Sequence, residues 1–375
     1  MTELVVISLE PWDDVWRRNQ YVIDGLLRSD PGLRVLFVEP GPDPLYDLRT
    51  GRRPRRGAGL RVEDGYEGRL MLLTPTKWLP RALGPASDRM LRRSVTRAVK
   101  RLRWVQPVLW INDPLWAASA ASTGWPTLYD MTDDWVEASR AGRISSRLRG
   151  GDAALMRDAD RVVVCSDELA RSRGRLREVR LIPNAVDVAR YRRPAARPSD
   201  LPDIPVAVYV GTLHEDRLDV DLCVQCGQAL DDANAMLVLV GPNALSASNA
   251  QRLATARGVV LLGGKPFDAV PGYLQHATTL VVPHVITTFT DSLDPLKLYE
   301  YLAVGRPIVS TPVAGFRDAS YAQVTIADRT DFLGTVVASV LADEPPYDVP
   351  AALPTWDQRV REFREVIEGL VDDRR

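Results

Sequence analysis

The chain alternates short apolar runs with longer polar stretches from one end to the other. Nearly continuous apolar runs of this length are typical of strands that are buried on both faces of a parallel sheet. They predict strands over residues 4–8, 35–39, 70–73, 108–112, 127–130, 162–165, 180–182, 206–210, 236–240, 259–262, 280–282 and 308–310. The intervening stretches predict helices over residues 15–28, 85–102, 115–122, 148–158, 166–175, 220–230, 246–255, 270–275, 295–304, 331–341 and 356–371. This alternation predicts an α/β fold with doubly wound sheets that receive ligands at the carboxyl ends of their strands.

The length of 375 residues predicts two domains rather than one. Proline and charge interrupt the pattern at residues 191–202, just before a new strand begins. We therefore expect a first domain over residues 1–195 and a second over 203–352, followed by a terminal helix within 353–375. Two domains of similar size also predict a cleft.

Composition indicates a soluble globular protein, with 45% hydrophobic and 26% charged residues. No apolar run reaches the roughly 18 residues of a membrane-spanning helix, and residues 1–10 lack the pattern of a secretory signal. We therefore expect a cytoplasmic protein. Cys223 and Cys226 are spaced for one face of a helix, where cysteines usually act as small core residues, although a redox or metal pair is the alternative.

Charge is divided unevenly along the chain. Residues 1–200 contain 35 basic and 26 acidic side chains, whereas residues 201–375 contain 13 and 23. The basic residues concentrate at positions 49–56 and 89–103. A solvated surface is the default interpretation, and contact with an acidic membrane surface is the next. Nucleic acid is not expected, because no base-reading motif accompanies the charge.

The segment over residues 290–310 predicts a phosphate-binding helix start. Asp294 suits the N-cap, Pro295 suits the first helical position, and Gly305 suits the helix end. Lys297 then lies in the first turn, beside a diphosphate held by the helix N-terminus. Glu300 lies one turn further along the same face, where it could reach a ribose. The alternative is an ordinary ion pair between these two residues on the helix surface.

At these residues the chain resembles the GT-B glycosyltransferases, a class that includes glycosyltransferase family 4. In that family a Glu that holds the nucleotide ribose is followed by a small residue, a Gly, a basic residue and a Pro, which resemble Glu300, Ala303, Gly305, Arg306 and Pro307. Partial matches in the family's order lie at residues 163–168, 181–187, 210–214 and 239–242. Ser292 stands near the position where relatives carry a first acid that contacts the sugar.

The resemblance implies two Rossmann-like domains that face each other across a cleft, with the terminal helix crossing back to the first. It also implies transfer of a sugar from a nucleoside diphosphate, UDP or GDP, without a metal or another cofactor. Basic side chains and helix N-termini then stabilise the leaving diphosphate. The expected donor-binding residues are Gly211, Arg217, His284, Ser292, Lys297 and Glu300.

The first domain is expected to supply the acceptor side. An inverting reaction needs a base, and Asp133 and Asp134 follow a predicted strand, although both could instead cap the next helix. Trp16, Arg17 and Arg18 follow the first strand and could bind an acceptor by stacking and by gripping phosphate. The alternative is a core tryptophan and a solvated helix start.

The combined hypothesis is a cytoplasmic, metal-independent glycosyltransferase that acts on a hydroxyl of a lipid-linked or cell-envelope glycan precursor. It would work at the inner face of the membrane, in peripheral contact with acidic lipid. Two alternatives stay open. One is a nucleotide-sugar 2-epimerase-like isomerase, and the other is a nucleotide-binding scaffold without catalysis.

Overall fold

The computed structural model describes residues 2–79, 84–134, 143–342 and 344–373. The chain forms two compact units, of which the first is Met1–Pro183 with Asp357–Arg375 and the second is Asn184–Trp356. The segment 184–195, which the sequence assigns to the first domain, therefore packs with the second unit. Asn184 explains this placement, because its side-chain amide donates to the carbonyl of Asp294 at 2.6 Å.

The first unit is built on a mostly parallel sheet whose order in the described residues is β3-β4-β2-β1-β5-β6-β7-β8. Its strands are β1 (Glu3–Ile7), β2 (Arg34–Val38), β3 (Gly59–Val62), β4 (Leu70–Thr74), β5 (Val108–Ile111), β6 (Thr127–Met131), β7 (Arg161–Val164) and β8 (Arg180–Leu181). Its helices are α1 (Arg18–Ser29), α2 (Pro44–Arg49), α3 (Pro85–Arg101), α4 (Ala117–Thr123), α5 (Arg143–Asp158) and α6 (Asp167–Gly174). Only β3 among these strands is antiparallel to its neighbour. The direction of strand order reverses at β1, which pairs with β2 on one side and β5 on the other.

The second unit contains a parallel sheet with the order β11-β10-β9-β12-β13-β14. Its strands are β9 (Val206–Val210), β10 (Met236–Val240), β11 (Val259–Gly263), β12 (Thr279–Val282), β13 (Ile308–Ser310) and β14 (Val324–Ile326). Its helices are α7 (Val188–Arg192), α8 (Val220–Asp232), α9 (Ala247–Ala254), α10 (Val270–Gln275), α11 (Leu296–Val304) and α12 (Phe332–Ala342). The order reverses between β9 and β12, so ligands of this unit are expected beyond the carboxyl ends of those two strands.

Helix α13 (Trp356–Asp372) follows the second unit in sequence but packs into the first. Phe363 stacks on Trp110 of β5 with ring centroids 4.5 Å apart, and the Arg18 guanidinium lies 5.0 Å from the Phe363 ring centroid. Val360 fills the space above Gly25 of α1. These contacts are possible because Val360, Phe363 and Ile367 lie on one buried face, at the helical spacing that the sequence shows.

Both sheets are covered by helices on their two faces, which explains the apolar runs seen in the sequence. The central strands β1, β9 and β12 contain residues with almost no exposed surface. Cys223 and Cys226 of α8 are buried among the apolar side chains of the second unit, as predicted for core residues. Among the described residues, no helix combines the length and apolar character that a bilayer crossing requires.

Candidate functional site

Helix α11 provides the central side chains of the site. Gly305 ends it in the left-handed conformation, at φ 84°, as its sequence predicts. The expected cap at the other end is wrong, because the helix begins at Leu296 and Pro295 occupies the N-cap position. The Asp294 carboxylate instead accepts a hydrogen bond from the backbone N–H of Asn184 and another from the Tyr299 hydroxyl, at 2.6 Å. Asp294 therefore ties this helix start to the beginning of the second unit.

Glu300 is half-buried on α11 and is held by a residue distant in sequence. The Tyr191 hydroxyl donates to Glu300 Oε1 at 2.6 Å. Burial raises the pKa of Glu300, while Tyr191 and the positive charge of Lys297 oppose that rise. Among the described residues, the hydrogen bond to this carboxylate comes from Tyr191 and is made to Oε1. One carboxylate oxygen is thus fixed by the protein, and the other can accept from a ligand.

Lys297 does not form the surface ion pair with Glu300 that was the alternative interpretation. Its ammonium instead donates to the Tyr209 hydroxyl at 3.0 Å and lies 4.3 Å from that ring's centroid. The pKa of Lys297 is lowered to about 7, because burial strips water from the ammonium and Arg217 adds a second positive charge nearby. Near neutral pH this amine can therefore gain a proton when an anion arrives.

His284 completes a chain of polar groups behind Lys297. It follows β12, is almost fully buried, and its Nε2 lies 3.1 Å from the Tyr209 hydroxyl. Burial, together with the charges of Lys297 and Arg217, lowers the pKa of His284 well below its ordinary value, so the ring is neutral. Because Lys297 donates to Tyr209, the tyrosine proton is left to donate to His284. This histidine orients the tyrosine that positions Lys297.

Gly211 follows β9 directly and makes room for the lysine. Its backbone has φ 151°, and a Cβ atom there would lie 2.9 Å from Lys297 Nζ. The neighbouring Gly241 follows β10, and a Cβ atom on it would lie 2.0 Å from the Gly211 carbonyl oxygen. Both positions require glycine, since a side chain would displace the ammonium or separate the two loops. The Tyr301 hydroxyl accepts from the Val210 N–H at 2.9 Å and so fixes α11 against this strand end.

Arg217 and Ser292, both expected to bind the donor, differ in exposure and in their contacts. Arg217 is partly exposed, lies 5.3 Å from the Phe289 ring centroid, and has its nearest carboxylate oxygen, on Asp216, at 3.8 Å. Its guanidinium is close enough to Lys297 to lower that residue's pKa, so the two cations share one side of the unit. Ser292 is buried, and its hydroxyl donates to the Phe289 carbonyl at 2.8 Å within a short 3₁₀ turn.

The three predicted acceptor residues of the first unit are occupied by contacts with the protein itself. Arg18 is buried and binds Asp130 at 3.1 Å and the Ile182 carbonyl at 2.7 Å. Arg17 pairs with Glu10 and Asp13. The expectation that both arginines grip a ligand is therefore wrong for Arg18, whose charge the carboxylate neutralises inside the unit. Trp16 is half-buried against aromatic neighbours, with the Tyr21 ring centroid 5.3 Å away.

Asp133 and Asp134 follow β6, as predicted, but they differ in environment. Asp134 is buried and both of its oxygens accept from Arg173 at 3.1 Å. Arg173 also pairs with Asp152 at 3.4 Å, and the Tyr129 hydroxyl donates to Asp152 at 2.8 Å. Asp134 therefore belongs to a buried ionic network, whereas Asp133 is half-buried at the strand end.

A cavity of about 90 Å³ lies at the reversal point of the first sheet, where β1, β2 and β5 end. Its polar lining includes Ser8, Glu39, Lys77 and Asp113. Sequence reasoning missed it, because the lining residues come from five separate segments. The general rule that doubly wound sheets bind ligands at the reversal point could have indicated the place.

The comparisons with known proteins agree with the resemblance seen in the sequence. Residues 204–342 match the sequence model of the family described as Glycosyl transferases group 1. This region includes Gly211, Lys297 and Glu300. TuaH of Bacillus subtilis, whose name assigns it to teichuronic acid biosynthesis as a glycosyltransferase, is 22% identical over 222 residues. That alignment covers 54% of this chain and spans about half of the relative's length, 55%.

Solved structures are similar over nearly the whole chain. Anabaena HepE in complex with UDP gives a TM-score of 0.59 at 13% identity and covers 100% of this chain and 98% of that one. The catalytic domain of starch synthase IV from Arabidopsis thaliana, bound to ADP and acarbose, gives 0.65 at 11% identity and covers 99% of both chains. These similarities confirm the expected GT-B fold class. Among the described residues, no cluster of His, Cys, Asp or Glu suits a metal ion.

Proposed function

We propose that this protein is a glycosyltransferase that moves a sugar from a UDP- or GDP-sugar to a hydroxyl group. The observation that carries the proposal is the α11 site, where Glu300 and Lys297 lie one turn apart, each oriented by a tyrosine from another element. Glu300, held by Tyr191, and Lys297, held by Tyr209, both stay partly exposed. The match of residues 204–342 to a glycosyltransferase family supports the same assignment.

The donor nucleotide binds to α11 through two contacts. Glu300 accepts hydrogen bonds from the ribose hydroxyls with the oxygen that Tyr191 does not use. The diphosphate binds at the start of the helix, to the N–H groups of Leu296 and Lys297, since that of Leu298 already donates to the Pro295 carbonyl at 3.0 Å. Lys297 gains a proton as the diphosphate arrives, because the added negative charge favours the ammonium.

Breaking the bond between the sugar and the diphosphate leaves negative charge on the leaving oxygen. Lys297 and Arg217 are the side chains that stabilise it, assisted by the N-terminus of α11. In this proposal two protein cations supply the positive charge, so the transfer is metal-independent. Ser292 stands where an acid would contact the sugar, and its hydroxyl is directed to the Phe289 carbonyl.

The acceptor side belongs to the first unit. The acceptor hydroxyl loses its proton to Asp133 or Asp134, and in the structure both oxygens of Asp134 accept from Arg173. The cavity beside Asp113 receives the acceptor group. The assigned pathway of TuaH supports a cell-envelope precursor as acceptor, carried on a lipid at the inner face of the membrane.

Calorimetric titration with UDP and GDP tests the proposal. Glu300→Gln should lower the affinity for the preferred nucleotide by about tenfold or more, because a hydrogen bond to a charged group is worth about 1.5–3 kcal/mol. Glu344→Gln is the matched control, since Glu344 also accepts from a tyrosine, Tyr347, but is exposed. If both nucleotides fail to bind the native protein, or if Glu300→Gln binds them as the native protein does, the proposal is wrong.

A nucleotide-binding scaffold without catalysis is the second candidate, and the internal hydrogen bond of Ser292 favours it. The distinguishing measurement is release of UDP or GDP from the donor sugar with a panel of lipid-linked and free acceptors. Turnover with any acceptor supports the transferase. Tight binding without turnover across the whole panel supports the scaffold.

A further inference from the structure

Helix α2 and the neighbouring Trp78 expose an unusual amount of apolar surface. Leu45, Tyr46, Leu48 and Trp78 each leave 42–58% of their surface in solvent. Three of these four side chains lie on one helix of six residues. Single exposed apolar residues need no explanation, but a contiguous group on one element indicates a binding surface.

Backbone and side-chain contacts join these residues into one surface. The Lys77 N–H donates to the Pro42 carbonyl at 2.9 Å, which holds the Trp78 segment beside the start of α2. Arg55 donates to both oxygens of Asp47 in α2, at 3.2 Å each, which folds residues 52–56 back onto the helix. The Arg56 guanidinium lies 5.2 Å from the Trp78 ring centroid. The loop and the helix therefore present their side chains together.

A strong positive charge surrounds the apolar group. Five arginines between residues 49 and 56 are exposed, namely Arg49, Arg52, Arg53, Arg55 and Arg56. Two acidic residues lie between positions 40 and 57 of the sequence: Asp47, which is buried and paired with Arg55, and Asp43, which caps α2. The charge on this surface is thus largely uncompensated. We call these five arginines together with Leu45, Tyr46, Leu48 and Trp78 the α2 surface.

Helix α3 shows that basic charge alone does not make such a surface. Its exposed residues include Arg93 and Arg97, but its apolar residues Leu91, Val95 and Val99 are buried in the first unit. Helix α3 is therefore an ordinary amphipathic helix with a solvated basic face. The cluster at residues 89–103 has a single exposed apolar neighbour, Val105, among the described residues, whereas the one at residues 49–56 adjoins four.

We propose that the α2 surface docks the protein onto a bilayer that contains anionic phospholipid. Aromatic and aliphatic side chains would enter the headgroup boundary, while the arginines bind lipid phosphates and keep their guanidinium groups at the interface. This combination fits a lipid surface better than nucleic acid. Single-stranded nucleic acid is bound by aromatic side chains on which successive bases stack, whereas three of the four apolar side chains here lie on one short helix and form no such row. The proposal extends the membrane contact suggested above by naming the surface. Vesicle binding needs no sugar transfer, so the two proposals fail separately.

The experiment is sedimentation of the full chain with vesicles of phosphatidylcholine alone and of phosphatidylcholine mixed with phosphatidylglycerol. We expect binding only to the mixed vesicles. The triple variant Arg52→Gln, Arg53→Gln, Arg56→Gln should reduce the partition coefficient by about fivefold per residue, the effect of about 1 kcal/mol for each basic group near the surface. Arg55 is left intact because it holds Asp47. The matched control is Arg93→Gln with Arg97→Gln on α3, which should bind almost as the native protein does.

The apolar contribution is tested separately. Leu48→Ser with Trp78→Ala should weaken binding to mixed vesicles by at least tenfold, whereas Leu176→Ser, at another exposed apolar position, should not. Brominated lipid should quench part of the tryptophan fluorescence of the native protein, and Trp78→Phe should remove that quenched part. Thermal melting of every variant checks that it is folded.

Several results would overturn the proposal. One is failure of the folded native protein to bind mixed vesicles. Another is equal loss of binding in the α3 control and in the arginine variant, and a third is full binding by the Leu48 and Trp78 variant. Binding to RNA in place of vesicles, with dependence on the arginines alone, would assign the surface to nucleic acid instead.

Discussion

The low pKa of Lys297 predicts that nucleotide binding weakens steeply above neutral pH. In the free protein this pKa is about 7, far below the ordinary value of 10.5, because of burial and the nearby charge of Arg217. A bound diphosphate opposes both effects, because its negative charge beside the amine favours the protonated form. If the pKa in the complex returns to its ordinary value, binding takes up a proton throughout the range between the two pKa values.

The size of the effect follows from the two pKa values. At pH 7 about half of the free molecules already carry the proton, and at pH 9 only about 1% do. The affinity for UDP or GDP should therefore fall about 50-fold between pH 7 and pH 9. The sign is fixed by the direction of the shift, since a group whose pKa rises on binding favours the complex at lower pH. Above pH 7 the terminal phosphate is almost fully ionised and adds little to the slope.

Calorimetric titration at several pH values between 7 and 9 measures this slope. Repeating the titration in buffers of different ionisation enthalpy measures the proton uptake. Lys297→Met should bind more weakly at pH 7 and show almost no pH dependence. Lys265→Met is the control, because Lys265 lies in the same unit but pairs with Asp200. A native affinity that changes less than threefold over the range would refute the reasoning, and so would a slope that survives in Lys297→Met.

The remaining predictions concern the space above Lys297 and the acceptor base. Gly211→Ala should lower the free energy of unfolding by about 1–3 kcal/mol, because alanine is strained in this backbone conformation, and it should also weaken nucleotide binding. The control is Gly334→Ala, which has open space around it and should change neither the melting temperature nor the calorimetric affinity appreciably. For the base, Asp133→Asn should lower turnover at least tenfold with donor affinity unchanged. Asp134→Asn should instead lower the melting temperature, because the partly buried Arg173 then loses one of the carboxylates that neutralise its charge. Full turnover in both Asp variants would remove the base assignment, and a reduced turnover in Asp134→Asn without loss of stability would move it to that residue.

The sequence predicted the features that local rules control. The end of α11 at Gly305 follows from the left-handed conformation that glycine tolerates, and the placement of Lys297 and Glu300 on one face follows from helical periodicity. The helix start was predicted one residue too early. Local capping preferences favoured Asp294 as a cap, but the hydrogen bond from the distant Asn184 N–H determined its role.

The partners of the site residues could not be predicted from the sequence. Tyr191 and Glu300 are separated by 109 positions, and Tyr209 and Lys297 by 88. No periodicity connects residues so far apart, and the order of strands in a sheet decides which of them meet. The same limit explains Arg18, whose position after a strand suggested a ligand contact, although the carboxylate that pairs with it, on Asp130, lies 112 positions later. Polarity identified these side chains as important, and only the fold showed what each one contacts.

The contribution of α13 to the first unit has a consequence for biosynthesis. The hydrophobic side of β5 at Trp110 is covered by Phe363, which the ribosome adds only after the entire second unit. A nascent chain can therefore complete the inserted unit while the surrounding one still lacks its closing segment. We expect the second unit to be able to mature during translation, with protease resistance of the first appearing only once residues 357–373 have left the exit tunnel.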